Sequence, residues 1–314
     1  MNNDLKIIPI VFAFDDNLKL PAAVCLSSLL SNAYSCTFYD VFILHSADSL
    51  VERDMLNKVE QYYKNCRITY INVTGFFQDG YEVRGITKAT YYRLLIPRLI
   101  AQYSKVIYAD VDMIFRMDLS ELYDTNIDNV CVAATYDMGM LLTEAGKKHI
   151  SSLGIEDNKY IQAGLLLFNC QKIREEDLES QFLALYKNNY KFQDQDILNV
   201  TCAKKHLRLP MKYNMTDYSF ILLREGNDFF KNISASEINE ALETGNLHYN
   251  GHKPWKKFSL NFDIWWEYYR KSPIFDMEYY IDFYYDRLNL FDQLSLWKRI
   301  KILLRYFVYG KRKI

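Results

Sequence analysis

The chain has 314 residues, of which half are hydrophobic and a quarter are charged, and its formal net charge is −1. This composition predicts a globular fold with a large core. Because a nearly neutral chain lacks a global basic field, it is not expected to bind nucleic acid, and any electrostatic partner would need a local charged patch.

The cysteines and the N-terminal residues indicate the cellular compartment of the protein. The six cysteines are scattered without a C-x-x-C pair, and several lie in apolar runs, a pattern typical of buried free thiols in a reducing cytosol. The apolar run at residues 7–14 is too short to cross a membrane and lacks a cleavage site. We therefore predict a cytoplasmic protein with neither a signal peptide nor a transmembrane helix.

The first part of the chain alternates strand and helix patterns. Residues 7–14, 37–44 and 68–73 are mainly apolar runs of strand length, separated by helical patterns at 21–30 and 49–64. Strands of this kind are typical of a parallel sheet covered by helices on both faces. Ligands of such sheets bind at the carboxyl ends of the strands, so the residues after each strand are candidates for a site.

Residues 105–115 form a further apolar run that contains Asp110 and Asp112. If this run is extended, both carboxylates point the same way and Val111 points back toward the core. Two carboxylates that converge are tolerated when a divalent cation, Mg²⁺ or Mn²⁺, lies between them and a phosphate-rich ligand completes its coordination. The alternative is a strand end whose two aspartates face water in a turn.

Residues 75–85 are predicted to form a loop, and residues 87–100 a helix that is interrupted at Pro97. Within that helix Arg93 lies among apolar residues, where it could contact a phosphate or a carboxylate at the edge of the sheet. A structural ion pair or a surface arginine is the alternative.

Two more strands and two helices follow. Residues 130–135 form a predicted strand that ends near Asp137, and 163–168 form a buried strand entered through Gln162 and Ala163. Helices are predicted at 178–186 and 194–202. Because side chains two apart diverge on a helix, only one of the aspartates at 194 and 196 can face a shared site, and Asp194 and Gln195 are the candidates.

The pattern changes after residue 236, with a helix to 242, a turn at 244–246 and then the stretch LHYNGHKPWKKF at 247–258. His248 could be a third metal ligand and Lys253 could hold a phosphate, although a lone histidine beside an aromatic residue is often structural. The sequence lacks the common phosphate-loop, dinucleotide and hydrolase motifs.

Five stretches occur in the order and at the spacing of one family: VFAFDDN at 11–17, KATYYRL at 88–94, YADVD at 108–112, AGLLLFN at 163–169 with DQDILN at 194–199, and HYNGHKPW at 248–255. With them the sequence resembles glycosyltransferase family eight, the retaining enzymes that include bacterial lipooligosaccharide galactosyltransferases and glycogenin. The resemblance implies an α/β, Rossmann-like GT-A fold with a mainly parallel sheet in residues 1–258. A small helical region would follow at 259–314.

The resemblance also implies a role for each matching residue in binding a UDP-sugar. Ala13, Asp15 and Asn17 would hold the uridine and ribose, and Asp110, Asp112 and His248 would bind Mn²⁺, or Mg²⁺. Gly251 and Lys253 would close over the phosphates, and Val111, Gln162 and Ala163 would complete the donor site. Arg93, Asp137, Asp194 and Gln195 would surround the transferred sugar.

The sequence departs from the family at two of these positions. Asparagine usually precedes Ala-Gly, where this chain has Gln162, so the contacts to the sugar are expected to shift. Two residues usually separate the glycine and lysine of the closing motif, whereas only His252 separates Gly251 from Lys253. The loop that covers the phosphates is therefore expected to close with a different geometry.

Residues 297–314 carry seven basic residues and no acidic one. At helical spacing, apolar residues from 296 to 307 gather on one face and basic residues on the other, which predicts a helix lying on an anionic membrane surface. The alternative is a helix packed on its own domain. For the aromatic clusters at 265–269 and 279–285, we predict mainly core packing, with stacking on acceptor sugars as the alternative.

The function expected from this resemblance is the metal-dependent, retaining transfer of galactose or glucose from a UDP-sugar to a saccharide or glycoprotein acceptor at a bacterial cell surface. The protein would act at the inner face of the cell membrane. A non-catalytic sugar-nucleotide or membrane-surface binding module is one alternative. A sugar nucleotidyltransferase is another, but it would need a glycine-rich basic loop after the first strand, where this chain has the acidic Asp15-Asp16-Asn17.

Overall fold

The computed structural model describes residues 5–47, 53–83, 87–155 and 159–309. Within them lie ten strands: β1 (Lys6–Ala13), β2 (Thr37–His45), β3 (Cys66–Asn72), β4 (Lys105–Ala109), β5 (Met113–Ile114), β6 (Val132–Tyr136), β7 (Ile161–Asn169), β8 (His206–Arg208), β9 (Met215–Thr216) and β10 (Leu247–His248). Seven of them form one sheet in the order β3-β2-β1-β4-β7-β6-β8, and the short strands β5, β10 and β9 form a second sheet.

The same residues contain fourteen α-helices: α1 (Lys19–Ser31), α2 (Asp54–Tyr63), α3 (Ile96–Leu99), α4 (Ser120–Asp124), α5 (Met138–Leu142), α6 (Glu144–Ser152), α7 (Cys170–Glu175), α8 (Leu178–Leu185), α9 (Gln193–Thr201), α10 (Asp217–Glu225), α11 (Ala235–Thr244), α12 (Phe262–Lys271), α13 (Met277–Asp292) and α14 (Leu296–Tyr309). Short 3-10 helices lie at Asp16–Leu18, Lys88–Leu95, Tyr186–Asn188, Met211–Tyr213 and Asp228–Asn232.

The large sheet is mainly parallel, as predicted. Strand β1 pairs in parallel with β2 and with β4, and the pairs β2–β3 and β6–β8 are also parallel. Strand β7 is the exception, because it runs antiparallel to both β4 and β6. In the order β3-β2-β1-β4 the direction of strand addition reverses at β1, which is where α/β sheets bind their ligands.

Both faces of this sheet are buried. In β1, Ile10 and Phe12 pack into one apolar core while Val11 packs into the other, and in β4 the neighbours Ile107 and Tyr108 divide in the same way. Since side chains alternate along a strand, a sheet covered on both sides needs apolar residues at consecutive positions. This burial is the physical reason for the continuous apolar runs in the sequence.

One edge of the sheet collects the candidate residues. Strands β1, β4 and β6 run in the same direction, so Ala13, Asp110 and Asp137 follow their carboxyl ends at this edge. Because β7 runs the opposite way, its amino-terminal residues Gln162 and Ala163 lie at the same edge. The topology alone therefore brings four separate segments together.

The second sheet brings the His248 segment to that edge. His248 in β10 is paired with Met113 of β5 and with Thr216 of β9. The Tyr249 backbone N–H donates to the Asp112 carbonyl over 2.9 Å. This sheet could not be predicted from the sequence, because strands of two residues are too short to show an alternating pattern.

Three predicted elements differ from the structure. The predicted helix at 87–100 is wrong in type: Lys88–Leu95 form a 3-10 helix, and the α-helix α3 covers only Ile96–Leu99. Pro97 has no N–H that could donate to the Arg93 carbonyl four residues earlier. That carbonyl instead accepts from the Ile96 N–H, three residues along the chain, which is the hydrogen bond of a 3-10 helix. The run 105–115 is not one strand, since Asp110 to Asp112 separate β4 from β5.

The other difference concerns the helix predicted at 49–64, which begins at Asp54 in the structure. Residues 48–52 lie outside the described residues. The remaining predicted strands and helices begin and end within a few residues of the observed ones.

Of the C-terminal helices, α12 packs on α1. Trp265, Trp266 and Tyr269 of α12 are buried, and Asn32 donates to the Tyr268 hydroxyl over 2.9 Å. The prediction of core packing is confirmed for the cluster at 265–269, whereas in the cluster at 279–285 Phe283 is buried but Tyr279 and Tyr285 are exposed. Helix α14 instead exposes large apolar side chains, among them Trp297 at 80%. Among the described residues, no helix combines the length and the hydropathy needed to cross a membrane.

The six cysteines are all free. Five are buried, and Cys36 is partly exposed. Buried thiols without a disulfide agree with the pattern expected from their positions in apolar runs.

Candidate active site

A cleft of about 900 Å³ opens at the edge of the sheet described above. Every residue for which the sequence predicted a role in the site lines this cleft: Ala13, Asp15, Asn17, Arg93, Asp110, Val111, Asp112, Asp137, Gln162, Ala163, Asp194, Gln195, His248, Gly251 and Lys253. The fold thus brings fifteen residues from seven segments to one place, while the individual roles remain predictions.

Asp110, Asp112 and His248 form the centre of the cleft. One potential ligand atom from each lies within 4.8 Å of the others. The Nε2 atom of His248 is 3.1 Å from Asp112 Oδ1 and 3.7 Å from Asp110 Oδ2. Val111, between the two aspartates, is buried in the core, as the alternation of side chains predicted.

Backbone hydrogen bonds fix these three positions. The Asp110 N–H donates to the Gly164 carbonyl over 2.8 Å and so extends the pairing of β4 with β7 by one residue. On the other side, the Asp112 carbonyl accepts from Tyr249, which follows His248. The two carboxylates and the imidazole therefore belong to two sheets that are joined at this point.

The donor set fits a divalent cation. Asp112 Oδ1 is buried and lies 3.1 Å from His248 Nε2 without a well-directed hydrogen bond, and a buried carboxylate oxygen in this position is costly unless a cation occupies the site. Carboxylate oxygens with one imidazole suit Mn²⁺ and, with less preference, Mg²⁺. Asp110, Asp112 and His248 would hold the ion, and the cleft leaves room for further ligands.

Lys253 is paired with this centre. Its ammonium group donates to Asp112 Oδ2 and, over 2.6 Å, to the Tyr249 carbonyl. Burial opposes ionisation of Asp112, but the charges of Lys253 and His248 outweigh it and lower the pKa of this carboxyl. Burial also opposes protonation of His248, and the two aspartates outweigh it and raise the pKa of the imidazole.

Arg93 is buried between two carboxylates. Its guanidinium lies 3.0 Å from Asp110 Oδ1 and 3.0 Å from Asp194 Oδ2, and it stacks over the Tyr108 ring at 4.2 Å. Burial disfavours its charge, but Asp110 and Asp194 outweigh that effect and raise the pKa of Arg93 further. Of the alternatives left open by the sequence, the one observed is an ion pair with carboxylates at the edge of the sheet.

Asp194 and Asp196 diverge on α9, as predicted. Asp194 faces Arg93 and accepts from the Thr90 hydroxyl. Burial raises the pKa of Asp194 to about 6, although Arg93 and Thr90 oppose the shift. Asp196 turns away and accepts hydrogen bonds from His149 and Tyr160.

The Gln195 amide is held at both ends. Its Nε2 donates to Asp137 Oδ2 over 3.0 Å, and its Oε1 accepts from the Ala163 N–H over 3.0 Å. Asp137 also caps α5 by accepting from the Met140 N–H, and burial raises the pKa of its carboxyl. The carbonyl oxygen of Gln195 is therefore already engaged by the backbone.

The segment after β1 forms the opposite wall. Asp15 caps the short helix Asp16–Leu18 by accepting from the Asn17 N–H over 3.0 Å. Ala13 and Asn17 line the cleft beside it.

Four residues of the site were not singled out by the sequence. Thr90 bonds Asp194, Asn214 bonds His248, and the Cys25 thiol lies 3.8 Å from the Asp110 carbonyl. Gln193 has a φ of 45°, and its side chain donates to the Tyr81 carbonyl. Thr90 lies within the stretch KATYYRL and Gln193 directly precedes Asp194, but no sequence pattern predicts the contacts that these four residues make.

The sequence and the fold match proteins of one kind. The model of glycosyl transferase family 8 matches residues 9–259. A putative glycosyltransferase of Haemophilus influenzae is 30% identical over 69% of this chain and 66% of its own length. A lipopolysaccharide 1,2-glucosyltransferase of Escherichia coli K12 is 25% identical over 55% of this chain and 51% of its own. The chain thus matches no more than two thirds of the length of either relative.

The solved structure of the galactosyltransferase LgtC, in complex with donor and acceptor sugar analogues, superimposes with a TM-score of 0.70. The match covers 87% of this chain and 99% of that one at 24% identity, a likeness that concerns the fold and confirms the expected GT-A architecture. Since the family model covers most of the sequence and the fold agrees, the chain belongs to glycosyl transferase family 8.

Proposed function

We propose that the protein transfers galactose or glucose from a UDP-sugar to a hydroxyl group of a saccharide, on a bacterial cell-surface glycan or a glycoprotein, with retention of the anomeric configuration. The observation that carries this proposal is the convergence of Asp110, Asp112 and His248 at the carboxyl edge of the sheet. Mn²⁺ is the proposed ion, with Mg²⁺ as a substitute. When bound, it would supply positive charge opposite the diphosphate.

The donor is proposed to lie along the cleft from β1 to α9. Ala13, Asp15 and Asn17 would contact the uridine and ribose at one end, while Gly251 and Lys253 would contact the phosphates. The Lys253 ammonium is 2.5 Å from Asp112, so it is already beside the position that the diphosphate would take. A fixed cation there stabilises the negative charge that develops on the departing UDP.

The sugar is proposed to lie at the other end, among Arg93, Asp137, Asp194 and Gln195, with Gln162 and Ala163 beside them. The buried ion pairs of Arg93 hold this wall rigid, which favours a fixed orientation of the sugar. The Oε1 atom of Gln162 accepts hydrogen bonds from the Gly164 N–H and from Asn214. This agrees with the expectation that the contacts of Gln162 to the sugar differ from those of an asparagine.

We propose that the acceptor attacks from the side on which UDP leaves. The bond from the anomeric carbon to the diphosphate oxygen breaks, the bond to the acceptor oxygen forms, and the acceptor proton passes to a UDP oxygen. The alternative, a double displacement, needs a protein nucleophile beneath the sugar. Gln195 is a weak one, because its carbonyl oxygen accepts from the Ala163 backbone. A covalent glycosyl-enzyme detected by mass spectrometry would overturn this mechanism.

The donor sugar is tested by measuring UDP release from a panel of UDP-sugars, with and without Mn²⁺. We expect turnover with UDP-galactose or UDP-glucose and loss of turnover on chelation. Asp112→Asn should lose nearly all turnover while it keeps its circular dichroism spectrum. The exposed Asp263→Asn is the matched control and should retain activity. Release of pyrophosphate instead of UDP would indicate a nucleotidyltransferase and would contradict the proposal.

We further propose that α14 lies on the inner surface of the cell membrane, which would make the protein a peripheral membrane protein. The support is the exposure of Leu296, Trp297 and Phe307 beside the basic residues Lys298 and Lys301. Residues 310–314 of the predicted tail lie outside the described residues.

Deleting residues 296–314 should abolish sedimentation with vesicles that contain anionic lipid and leave unchanged the release of UDP from the donor when a soluble acceptor is supplied. Trp297→Ala should weaken sedimentation in part, since an aromatic side chain anchors at the interface. Equal sedimentation of the truncated and full-length proteins would contradict membrane docking.

A further inference from the structure

Behind His248 lies a short relay of two side-chain amides. Gln162 Oε1 accepts from the Gly164 backbone N–H over 2.6 Å and from Asn214 Nδ2 over 2.6 Å. The other end of the Asn214 amide, Oδ1, lies 3.0 Å from His248 Nδ1. All three side chains are buried.

The direction of every hydrogen bond in this relay is fixed by its first member. The Gly164 backbone N–H can only donate, so the Gln162 atom facing it must be the carbonyl oxygen. That oxygen can only accept, so Asn214 must turn its NH₂ group toward Gln162. Its carbonyl oxygen then faces His248, and Nδ1 must carry a proton in order to donate to it.

We infer that Gln162 and Asn214 are positioning residues that keep a proton on His248 Nδ1 and leave Nε2 as the atom that binds the cation. This inference rests on the proposed metal-dependent function and adds to it two residues that do not touch the ion. The partner of the second ring nitrogen generally sets the tautomer and orientation of a metal-binding histidine. Here that partner is a neutral amide whose orientation a backbone group determines.

The packing around the ring supports the same assignment. A Cβ atom on Gly164 would lie 2.2 Å from His248 Cε1, so the imidazole lies directly against a backbone that has no side chain. A ring flip would exchange Nδ1 with Cδ2 and Nε2 with Cε1. Asn214 Oδ1 would then face a carbon atom and lose its partner although it is buried, and no ring nitrogen would face the cation site between the aspartates. The glycine, the amide and the carboxylates together leave one orientation for the ring.

Gln162 stands where the family usually has asparagine, and this difference affects the relay behind His248. Its oxygen accepts two hydrogen bonds at once, one from its own strand and one from Asn214. The residue that departs from the family pattern is therefore the one that orients the amide behind the metal ligand.

The test uses the full-length protein and two measurements that do not depend on turnover. Nitrogen-15 NMR of the imidazoles, on the Mg²⁺-loaded protein or at a pH where His248 is neutral, reports which ring nitrogen carries the proton. With only five histidines in the chain, a His248→Gln sample identifies the resonance. Calorimetry with Mn²⁺ in the presence of UDP reports the affinity of the site.

We expect the wild type to show one tautomer, with the proton on Nδ1. Asn214→Leu should give a mixture of tautomers and a loss of about 10–100-fold in Mn²⁺ affinity. Gln162→Met, which removes the acceptor shared by Asn214 and the Gly164 N–H, should change both readings in the same direction. Gln162→Glu keeps an acceptor oxygen and should retain the tautomer with an affinity no weaker than the wild type.

Asn246→Leu is the matched control, because Asn246 is a buried asparagine two residues from His248 that bonds the Arg116 backbone N–H instead of the imidazole. It should lower stability and leave the tautomer unchanged. If Asn214→Leu and Gln162→Met both keep the single Nδ1–H tautomer and the wild-type affinity, the inference is overturned. If the wild type itself binds no Mn²⁺ with UDP, the proposed function fails, and the metal-free spectra at high pH still decide the role of the relay.

Discussion

At the scale of single residues, several charged side chains of the cleft are already paired with one another. Lys253 and His248 face Asp112, and Arg93 lies between Asp110 and Asp194. A cation that enters this set must compete with groups already in place. That competition can be measured one residue at a time.

Lys253→Met should bind Mn²⁺ alone more tightly than the wild type and UDP with Mn²⁺ more weakly. The reason is that the ammonium group competes with the ion for Asp112 in the empty site and faces the diphosphate in the filled one. Calorimetry gives both affinities. Lys257→Met, an exposed lysine in the same segment, is the control and should change neither. Equal affinities in Lys253→Met and the wild type would exclude this competition.

The pH dependence of stability should report on Asp194. Burial raises its pKa from 3.8 to about 6 in the folded protein, so between these values the folded state holds a proton that the unfolded state has released. Stability must then rise as the pH falls through this range. Relative to Asp194→Asn, the wild type should gain about 1–3 kcal/mol between pH 7 and pH 4.

Urea denaturation of the wild type and Asp194→Asn at several pH values gives the difference between their free energies of unfolding. The other carboxyl groups are the same in both proteins, so their contributions cancel in this difference. A difference that stays flat, or that shrinks as the pH falls, would mean that the Arg93 ion pair outweighs burial in the folded protein.

Much of the site could be predicted at this scale from the sequence, and some could not. Asp110 and Asp112 could be predicted because two aspartates separated by one residue are typical of metal sites. His248 was added because its stretch occurs in the order of the family's other motifs. Asn214 was missed, because a buried asparagine has no sequence signature and its role depends on an atom 3.0 Å away on another strand.

At the scale of secondary-structure elements, the strands of the large sheet were predictable because burial on both faces imposes continuous apolar runs. The 3-10 helix at Lys88–Leu95 was not, because its residues have the composition of an α-helix and only the hydrogen-bond pattern at Pro97 separates the two. The short strands β5, β9 and β10 were missed for lack of length. His248 lies on one of them, so its position relative to the aspartates came from the family resemblance alone.

Helix α12 is the element on which the C-terminal region depends. Trp266 is fully buried, 4.5 Å from the Phe283 ring centroid, and it donates to the Pro254 carbonyl. Trp266→Ala should therefore lower the free energy of unfolding by about 3–5 kcal/mol. Trp297→Ala, at an 80% exposed site, should change it by less than about 0.5 kcal/mol. Similar losses in both variants, measured by chemical denaturation, would contradict the packing described.

At the scale of the whole molecule, the site brings together residues that are far apart in the sequence. Residues from Ala13 to Lys253 line one cleft, and beside it the Tyr249 N–H bonds the Asp112 carbonyl while Asn214 bonds Gln162 of β7. A ligand that bridges the aspartates and His248 should therefore stabilise the protein as a whole.

Thermal unfolding should shift upward with Mn²⁺ and UDP together, because a ligand that binds only the folded state at 100 times its Kd adds about 2.7 kcal/mol. Differential scanning calorimetry measures the shift. Asp112→Asn should show little of it, while Trp297→Ala should show all of it. An equal shift in the Asp112→Asn protein would place the bound ligands elsewhere.

The division into a catalytic region at 1–258 and a helical region at 259–314 stays a prediction. One core contains both Ile10 of β1 and Trp265 of α12, so a chain ending at 258 would expose apolar surface that is now covered. Comparing the denaturation of that truncated chain with the full-length protein tests the division. If the chain that ends at residue 258 shows no cooperative unfolding transition, residues 1–258 do not fold by themselves, which would contradict a separate catalytic domain.

The most direct test of the whole account is X-ray diffraction at the manganese absorption edge from a crystal soaked with Mn²⁺ and UDP. We expect one strong anomalous peak in the cleft, within bonding distance of Asp110, Asp112 and His248 Nε2 and of oxygens of the diphosphate. A crystal in which UDP is bound, but in which the anomalous peak is absent or lies away from these three side chains, would contradict it.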